Sequence, residues 1–256
     1  MPEKSSQRDD YQHLPRPVGA MAKEFARGVL GDRHQHARAQ LLYAVAGVLE
    51  VRTALGVWIV PPQRALWIPP RTEHQVRFQT AASVRTLYVA PEAVPAGAPP
   101  RPCAVGVSAL LRELILRAVQ MPLAYDENGL DGRIVALALE EIAWRADAPL
   151  HLPAFSDARL LRIHRTLLAE PGDARSLAQW AAQLHTSSRT LARLFQAECG
   201  TSFVRWRQQL RVLQALPRLA AGEAVTVVAL DLGYETPGAF AAMFRSLMGA
   251  PPSRYF

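Results

Sequence analysis

The stretch Ser176-Leu-Ala-Gln-Trp-Ala-Ala-Gln-Leu-His185-Thr-Ser187-Ser-Arg-Thr-Leu-Ala-Arg193-Leu-Phe195, closed by Cys199-Gly200, recurs in outline further along the chain. The second copy is Val225-Thr-Val-Val-Ala229-Leu-Asp-Leu232-Gly-Tyr-Glu-Thr236-Pro-Gly-Ala-Phe-Ala-Ala-Met-Phe244, closed by Met248-Gly249. Superimposing Phe195 on Phe244 brings Ser187 onto Thr236 and Gly200 onto Gly249. Ala181 then matches Ala229, with one extra residue in the second turn. In each copy, apolar residues at helical spacing predict a face buried against the next helix, a Ser or Thr caps the second helix, and a glycine stops it. The repeat therefore predicts two helix-turn-helix units of equivalent build.

The charge distribution says what such units face. Residues 155–256 carry 12 Arg and no Lys against 7 acidic residues, a net +5 of the chain's +7. An arginine excess on the tandem helical part is the electrostatic footprint of phosphate binding. The bland alternative is a pair of packed helical hairpins with no nucleic-acid partner, and the charge leans away from it.

With 256 residues the chain can hold two cores, and half of its residues are apolar, which excludes a disordered chain. No apolar run approaches the ~18 residues that a membrane helix needs, and the polar N-terminus lacks a signal-peptide core, so a cytoplasmic protein with no membrane partner is expected. Two scattered cysteines, Cys103 and Cys199, make neither a disulfide framework nor a zinc site.

Ahead of the repeat, residues 1–18 read as a flexible arm. Short β runs at 41–45, 48–53, 57–60, 66–68, 76–79 and 85–89, with no helix between them, predict a small barrel. Residues 91–102 hold five prolines and read as an exit linker. Helices are expected at about 107–120, with Leu111, Leu114, Ile115 and Ala118 as one apolar stripe, and at 130–146, with Leu130, Ile134, Leu137, Ala138 and Ile142. Such a pair covers the barrel, mates with a second copy, or does both. Residues 147–153 read as a second linker.

The last hundred residues, down to the closing Gly249-Ala-Pro-Pro-Ser-Arg254-Tyr-Phe, resemble the DNA-binding domain of the AraC/XylS family of transcription regulators. The N-terminal half resembles the cupin sensor domains often attached to it. The resemblance implies an α+β chain: a cupin-like β-barrel with its exit linker (19–102), a helical dimerisation element and linker (103–153), and an all-α tandem helix-turn-helix domain (154–256). It implies a regulator of transcription, working as a homodimer, with a double-stranded DNA operator, a small-molecule or metal effector, and RNA polymerase as partner if it activates. The different-class alternative is a metal-dependent cupin enzyme, a dioxygenase or isomerase with an accessory DNA-binding domain. A hundred residues spent on a tandem reader favour the regulator, with no catalytic residues.

Within the first copy, Ser188, Arg189, Thr190, Arg193 and Gln196 are expected to face outward, and Arg189 and Arg193 share a face. Arginine aimed at a guanine edge makes the commonest specific contact in the major groove; solvated or phosphate-binding arginines are the alternative. The family's contacts fall on the positions of Arg189, Ala192 and Arg193. In the second copy they fall on Pro237, Gly238, Ala239, Ala241 and Ala242, none of which can bond a base bidentately. That copy is left with methyl groups, backbone amides and the phosphate anchors Arg245 and Arg254. A helix over about 202–221 should set the spacing of the two, with Pro217 threatening a kink. His185 stands where the family commonly has glycine, and histidine tolerates a left-handed backbone better than most residues.

His34-Gln-His36-Ala-Arg-Ala-Gln40 followed by Gly47 matches the first cupin motif, with Gln40 where Glu is usual. His74 matches the histidine of the second motif, with Arg71 replacing its glycine. In an extended chain residues 34, 36 and 40 share one strand face. His34, His36, Gln40 and His74 could thus bind a divalent metal such as Zn, Ni or Fe, although no cofactor is required by the reading. The alternative is a pocket whose histidines bond an organic effector or one another. Trp58 and Trp67 are expected either as walls of an effector pocket or as plain core.

Overall fold

The computed structural model describes residues 5, 7–144 and 150–255. The chain divides into two compact units, one drawn almost entirely from residues before 148 and the other from residue 148 onward.

The first unit contains β1 (Val18–Phe25), β2 (Ala39–Ala46), β3 (Leu49–Thr53), β4 (Gly56–Val60), β5 (Arg64–Ile68), β6 (His74–Phe78), β7 (Ala82–Val89) and β8 (Cys103–Gly106), followed by α1 (Ala109–Ala118) and α2 (Leu130–Glu140). The strands pair as two sheets. One has the order β1-β7-β2-β5-β8, and in the other β6, β3 and β4 lie side by side. Period-two alternation sends alternate residues of β2, β5 and β7 to opposite faces. Leu42, Leu66, Ile68 and Val84 join Leu49, Val51, Trp58, Val76 and Phe78 in the core between the sheets. Leu41, Tyr43, Trp67 and Leu87 face the other way and pack beneath α1 and α2. The outer face of the five-stranded sheet is thus covered by the two helices.

Several expectations are corrected here. β1 and β8 were not expected as strands: β1 is rich in small residues with little β preference, and its place is set by pairing with β7 in the register Val18↔Val89. The segment read as a flexible arm is packed from its second half onward. Tyr11 is fully buried, and the Arg38 guanidinium donates to the carbonyls of Gln12, Leu14 and Arg16. Helix α1 buries its expected stripe, and of the apolar residues expected around α2, Ala138 and, just beyond its end, Ile142 are buried; but α2 turns Val135 inward and leaves Leu130 60% and Leu137 43% exposed. The helix expected to reach 146 ends at Glu140 with Glu141 as its C-cap, and residues 142–144 are not helical; residues 145–149, which include the start of the second linker, lie outside those described. The end of that linker is a short strand, β9 (His151–Pro153).

The second unit contains α3 (Ala158–Ala169), α4 (Leu177–Gln183), α5 (Ser188–Cys199), α6 (Phe203–Ala220), α7 (Val225–Asp231) and α8 (Pro237–Met248). Leu160, Ile163 and Leu167 of α3 are buried, whereas Leu168 is 46% exposed. Each helix-turn-helix has its own aromatic core. Phe195 packs with Phe155, Phe203 and Trp206 in the first, and Phe244 with Phe240 and Tyr255 in the second. Helix α6 runs through Pro217 without ending before it. Its 18 residues span about 27 Å at 1.5 Å each. Among the described residues no helix is long and apolar enough to cross a membrane.

Candidate nucleic-acid interface and effector site

The second helices of the two units, α5 and α8, are built alike. Ser187 Oγ accepts from Thr190 N at 3.1 Å and Thr236 Oγ1 from Ala239 N at 3.2 Å, so each helix starts on a side-chain cap. Gly200 (φ 66°) and Gly249 (φ 84°) end them in the left-handed region. The intervening turns match as well: Thr186 N bonds Ala181 O and Tyr234 N bonds Ala229 O.

His185 adopts φ 50° at the position that Gly233 fills, with φ 77°, in the second copy. A left-handed backbone costs a residue with a Cβ roughly 1–2 kcal/mol, part of which glycine gives back through its freer unfolded chain. His185→Gly is therefore expected to stabilise the second unit by about 0.5–1 kcal/mol, leaving its preference among DNA sequences unchanged. Chemical denaturation checks the first half and operator competition the second; a destabilised variant would mean that the imidazole makes a contact worth more than the strain.

Along α5, Ser188, Arg189, Ala192, Arg193 and Gln196 are exposed and Thr190 is half-buried, while Leu191 and Phe195 are fully buried. Along α8, Gly238, Ala239, Ala242 and Arg245 are exposed, as is Arg254 beyond it; Ala241 and Pro237 are half-buried. One exposed face thus offers two guanidinium groups, and the other offers methyl groups and backbone at its start.

Sequence reading missed the arginines that hold this unit together. Arg211 of α6 is buried, donates from Nε to Pro171 O at 2.9 Å, and lies over the Tyr234 ring. Arg207 donates to Arg175 O at 2.9 Å. They anchor the connection between α3 and α4, which also touches the second copy: a Cβ on Gly233 would lie 2.6 Å from Gly172 O. An arginine in an amphipathic helix carries no sign in the sequence that its partner is a loop 38–40 residues away. Burial and the Glu198 carboxylate push the Cys199 thiol up to about 12, so it is not a reactive thiolate.

In the first unit, the segment before β2 runs beside β6. His34 N donates to His74 O at 3.0 Å and His74 N to His34 O at 2.8 Å, which sets the two residues opposite each other. His36, two residues on, falls on the same face. Arg71, at φ 57° where the motif has glycine, donates its backbone N–H to His36 O at 2.8 Å and closes the turn below the cluster. One ring nitrogen each of His34, His36 and His74 lie within 4.8 Å of one another.

The hydrogen bonds decide which nitrogens point inward. Nδ1 of His34 lies 2.8 Å from Asp32 O, that of His36 2.6 Å from Arg38 O, and that of His74 2.9 Å from Thr72 O. A carbonyl only accepts, so every Nδ1 carries the proton and every neutral ring presents Nε2 as a lone pair. His74 Nε2 is buried with no hydrogen-bond partner among the described residues. Thr86 Oγ1 donates to Leu41 O at 3.2 Å and accepts from Gln40 Nε2 at 2.9 Å. Gln40 Oε1 is thereby turned to His36 Nε2 at 3.1 Å. Two acceptors face each other there, an arrangement that a shared cation or a proton satisfies. Burial, which holds the His36 imidazole below its ordinary range, opposes the proton. All four residues read as ligands are brought together.

Burial lowers all three imidazoles, His74 to about 4. Unfolded histidine titrates near 6.5, so between about 6.5 and 4 the unfolded chain binds more protons than the folded one. The stability contributed by these rings is complete above the unfolded value and is lost as pH falls through that window. Chelator-treated protein should accordingly melt at lower temperature as pH drops from 7 to 4.5, and His74→Asn should flatten the dependence. Parallel pH profiles for the two proteins would refute it.

The cluster lies at one side of a cavity of about 320 Å³, whose other walls include Met21, Phe25, Leu42, Val76, Phe78 and Val84. Arg8 and Asp9 of the N-terminal segment also line it, a contribution that no motif announces. Neither tryptophan does. Trp67 points to the opposite face of its sheet, donating to Pro99 O at 3.2 Å and packing edge-on to Trp144. Trp58 is core between the sheets. They do not form a common wall because β4 and β5, although consecutive, belong to different sheets.

A two-sheet sensor-like unit with a histidine-lined cavity and a tandem helix-turn-helix unit define a ligand-binding regulator of DNA. Residues 26–118 match the family described as "AraC-like ligand binding domain", and residues 180–256 that described as "Helix-turn-helix domain". The HTH-type transcriptional regulator NimR of Escherichia coli (strain K12) is 35% identical over 222 residues, covering 87% of this chain and 81% of that protein. The Ornithine utilization regulator of Pseudomonas aeruginosa is 37% identical over 97 residues, 38% of this chain and 28% of its own. Among solved structures, ToxT from Vibrio cholerae matches with a TM-score of 0.39 at 10% identity, over 94% of this chain and 98% of that one. The chain belongs to the AraC family of transcription regulators: it is a DNA-binding regulator with an N-terminal ligand-binding domain.

Proposed function

We propose that this regulator reads its operator chiefly through α5 and senses its effector through a metal held by His34, His36, His74 and Gln40. The observation that supports the metal is the hydrogen-bond pattern: each Nδ1 is occupied by a carbonyl, leaving three Nε2 lone pairs and one amide oxygen to converge without a donor. Zn, Ni or Fe in the divalent state suits such a nitrogen-rich set. When bound, the ion supplies a coordination position open to the cavity. On the DNA side, Arg189 and Arg193 contact base edges with Ser188, Thr190 and Gln196 around them. Gly238, Ala239 and Ala242 approach the second groove, and Arg245 and Arg254 hold phosphates. The exposed Leu130 and Leu137 of α2, with Leu110 of α1, favour a second copy of this chain as the partner of the helical face. The protein acts in the cytoplasm and does no catalysis.

Full-length protein is expected to retard a fragment of its own upstream region at competitor concentrations that abolish non-specific binding. Turnover of a small substrate with no such retardation would return the enzyme reading.

A further inference from the structure

We infer that the effector is a small organic anion whose charged head completes the coordination of the metal while its apolar body fills the rest of the cavity. This rests on the metal reading and deepens it. The argument is one of charge. Three imidazoles in their neutral form and one carboxamide bring no negative charge, so a divalent ion among them keeps both of its positive charges. Elsewhere the cavity lining is balanced, with Arg8 and Lys23 against Asp9 and Asp32, and Arg8 already 3.3 Å from Asp9. Two uncompensated charges in a half-enclosed cavity between packed sheets are costly unless an anion joins them.

The remaining walls say what else the anion carries. Phe25 stacks on Phe78 with ring centroids 3.8 Å apart, and Leu42, Val76 and Val84 continue the apolar surface. A hydrated inorganic anion leaves that surface unused. A cavity of about 320 Å³ lies at the small end of the roughly 300–1,000 Å³ range of ligand sites, which sets the size of the body at a single ring or a short branched chain. Gln40 is then the residue that decides the ligand's charge: its neutral amide sits where a carboxylate would have supplied the missing negative charge from the protein itself.

Cobalt gives a direct readout. Full-length protein treated with chelator and loaded with Co(II) is expected to show visible ligand-field bands that cyclohexanecarboxylate shifts. The carboxylate should bind at least a hundredfold more tightly than cyclohexanecarboxamide, and at least tenfold more tightly than azide. Calorimetry should find no carboxylate binding to the chelator-treated protein. Gln40→Glu should hold Co(II) more tightly and the carboxylate at least tenfold more weakly, and Phe25→Ala should weaken the carboxylate without affecting azide. Bands that neither anion moves, or equal binding of the carboxylate with and without Co(II), would overturn the inference while leaving the metal in place. Absence of Co(II) bands at the outset would remove the metal reading and the inference with it.

Discussion

His74→Ala is expected to strip the first unit of its metal. Native protein, purified without chelator, should carry about one divalent ion per chain, and the variant almost none, by elemental analysis. His74 contributes a buried Nε2 with no hydrogen-bond partner among the described residues; its ring is held by Thr72 O and its backbone by the paired backbone of His34. The loss should therefore exceed the roughly 10–100-fold that removal of a group merely orienting a ligand costs. Thr86→Val, which frees the Gln40 amide that Thr86 now pins, supplies that milder comparison. His36→Ala should behave as His74→Ala does. If the native chain took up no metal after reconstitution with Zn, Ni, Co, Mn and anaerobic Fe, the histidines would be hydrogen-bonding groups for an organic effector and nothing more.

The second large effect is expected at the DNA. Arg189→Ala or Arg193→Ala should cost about 1–3 kcal/mol on the specific site, roughly ten- to a hundredfold in affinity, and relax the preference at one or two base positions. Both guanidinium groups stand exposed on α5, one turn apart, and neither is engaged in an ion pair among the described residues. Arg245→Ala should instead weaken all sequences alike and reduce the salt dependence by about one unit of slope, as loss of a phosphate contact does. Base-by-base substitution of the operator should find the strongest sequence dependence in the groove that faces α5, with weaker, shape-like dependence about one helical turn away. Greater sensitivity in the second groove would reverse the roles of α5 and α8.

What was legible in the chain and what was not separates along one physical line. Local chemistry was legible. The caps Ser187 and Thr236, the terminators Gly200 and Gly249 and the stripe Leu111–Leu114–Ile115–Ala118 act through neighbours within a turn or two, so spacing alone foretold them. His185 was foreseen in a left-handed turn for the same reason. The three histidines were legible as a motif, though their convergence depends on the pairing of His34 with His74, forty residues apart. The facing of α2 was not legible, because its apolar residues run nearly all round and only the sheet beneath chooses Val135 and Ala138 over Leu130 and Leu137.

By itself, then, the sequence determined that this protein has two helix-turn-helix units whose second helices differ in side-chain type, a β-rich half ahead of them, and a motif of closely spaced histidines. Each of these follows from local propensity, capping and residue identity at fixed spacing, which act within a turn or two of the chain. Tertiary structure decided the rest. It sent Trp67 to the helices and Trp58 to the core, drew Arg8 and Asp9 to the cavity wall, buried Arg38 and Arg211 against carbonyls distant in the chain, and turned the Gln40 oxygen toward His36. Those outcomes depend on which strand pairs with which and on how long-range hydrogen bonds are satisfied, and a single chain of letters carries no record of either until it has closed on itself.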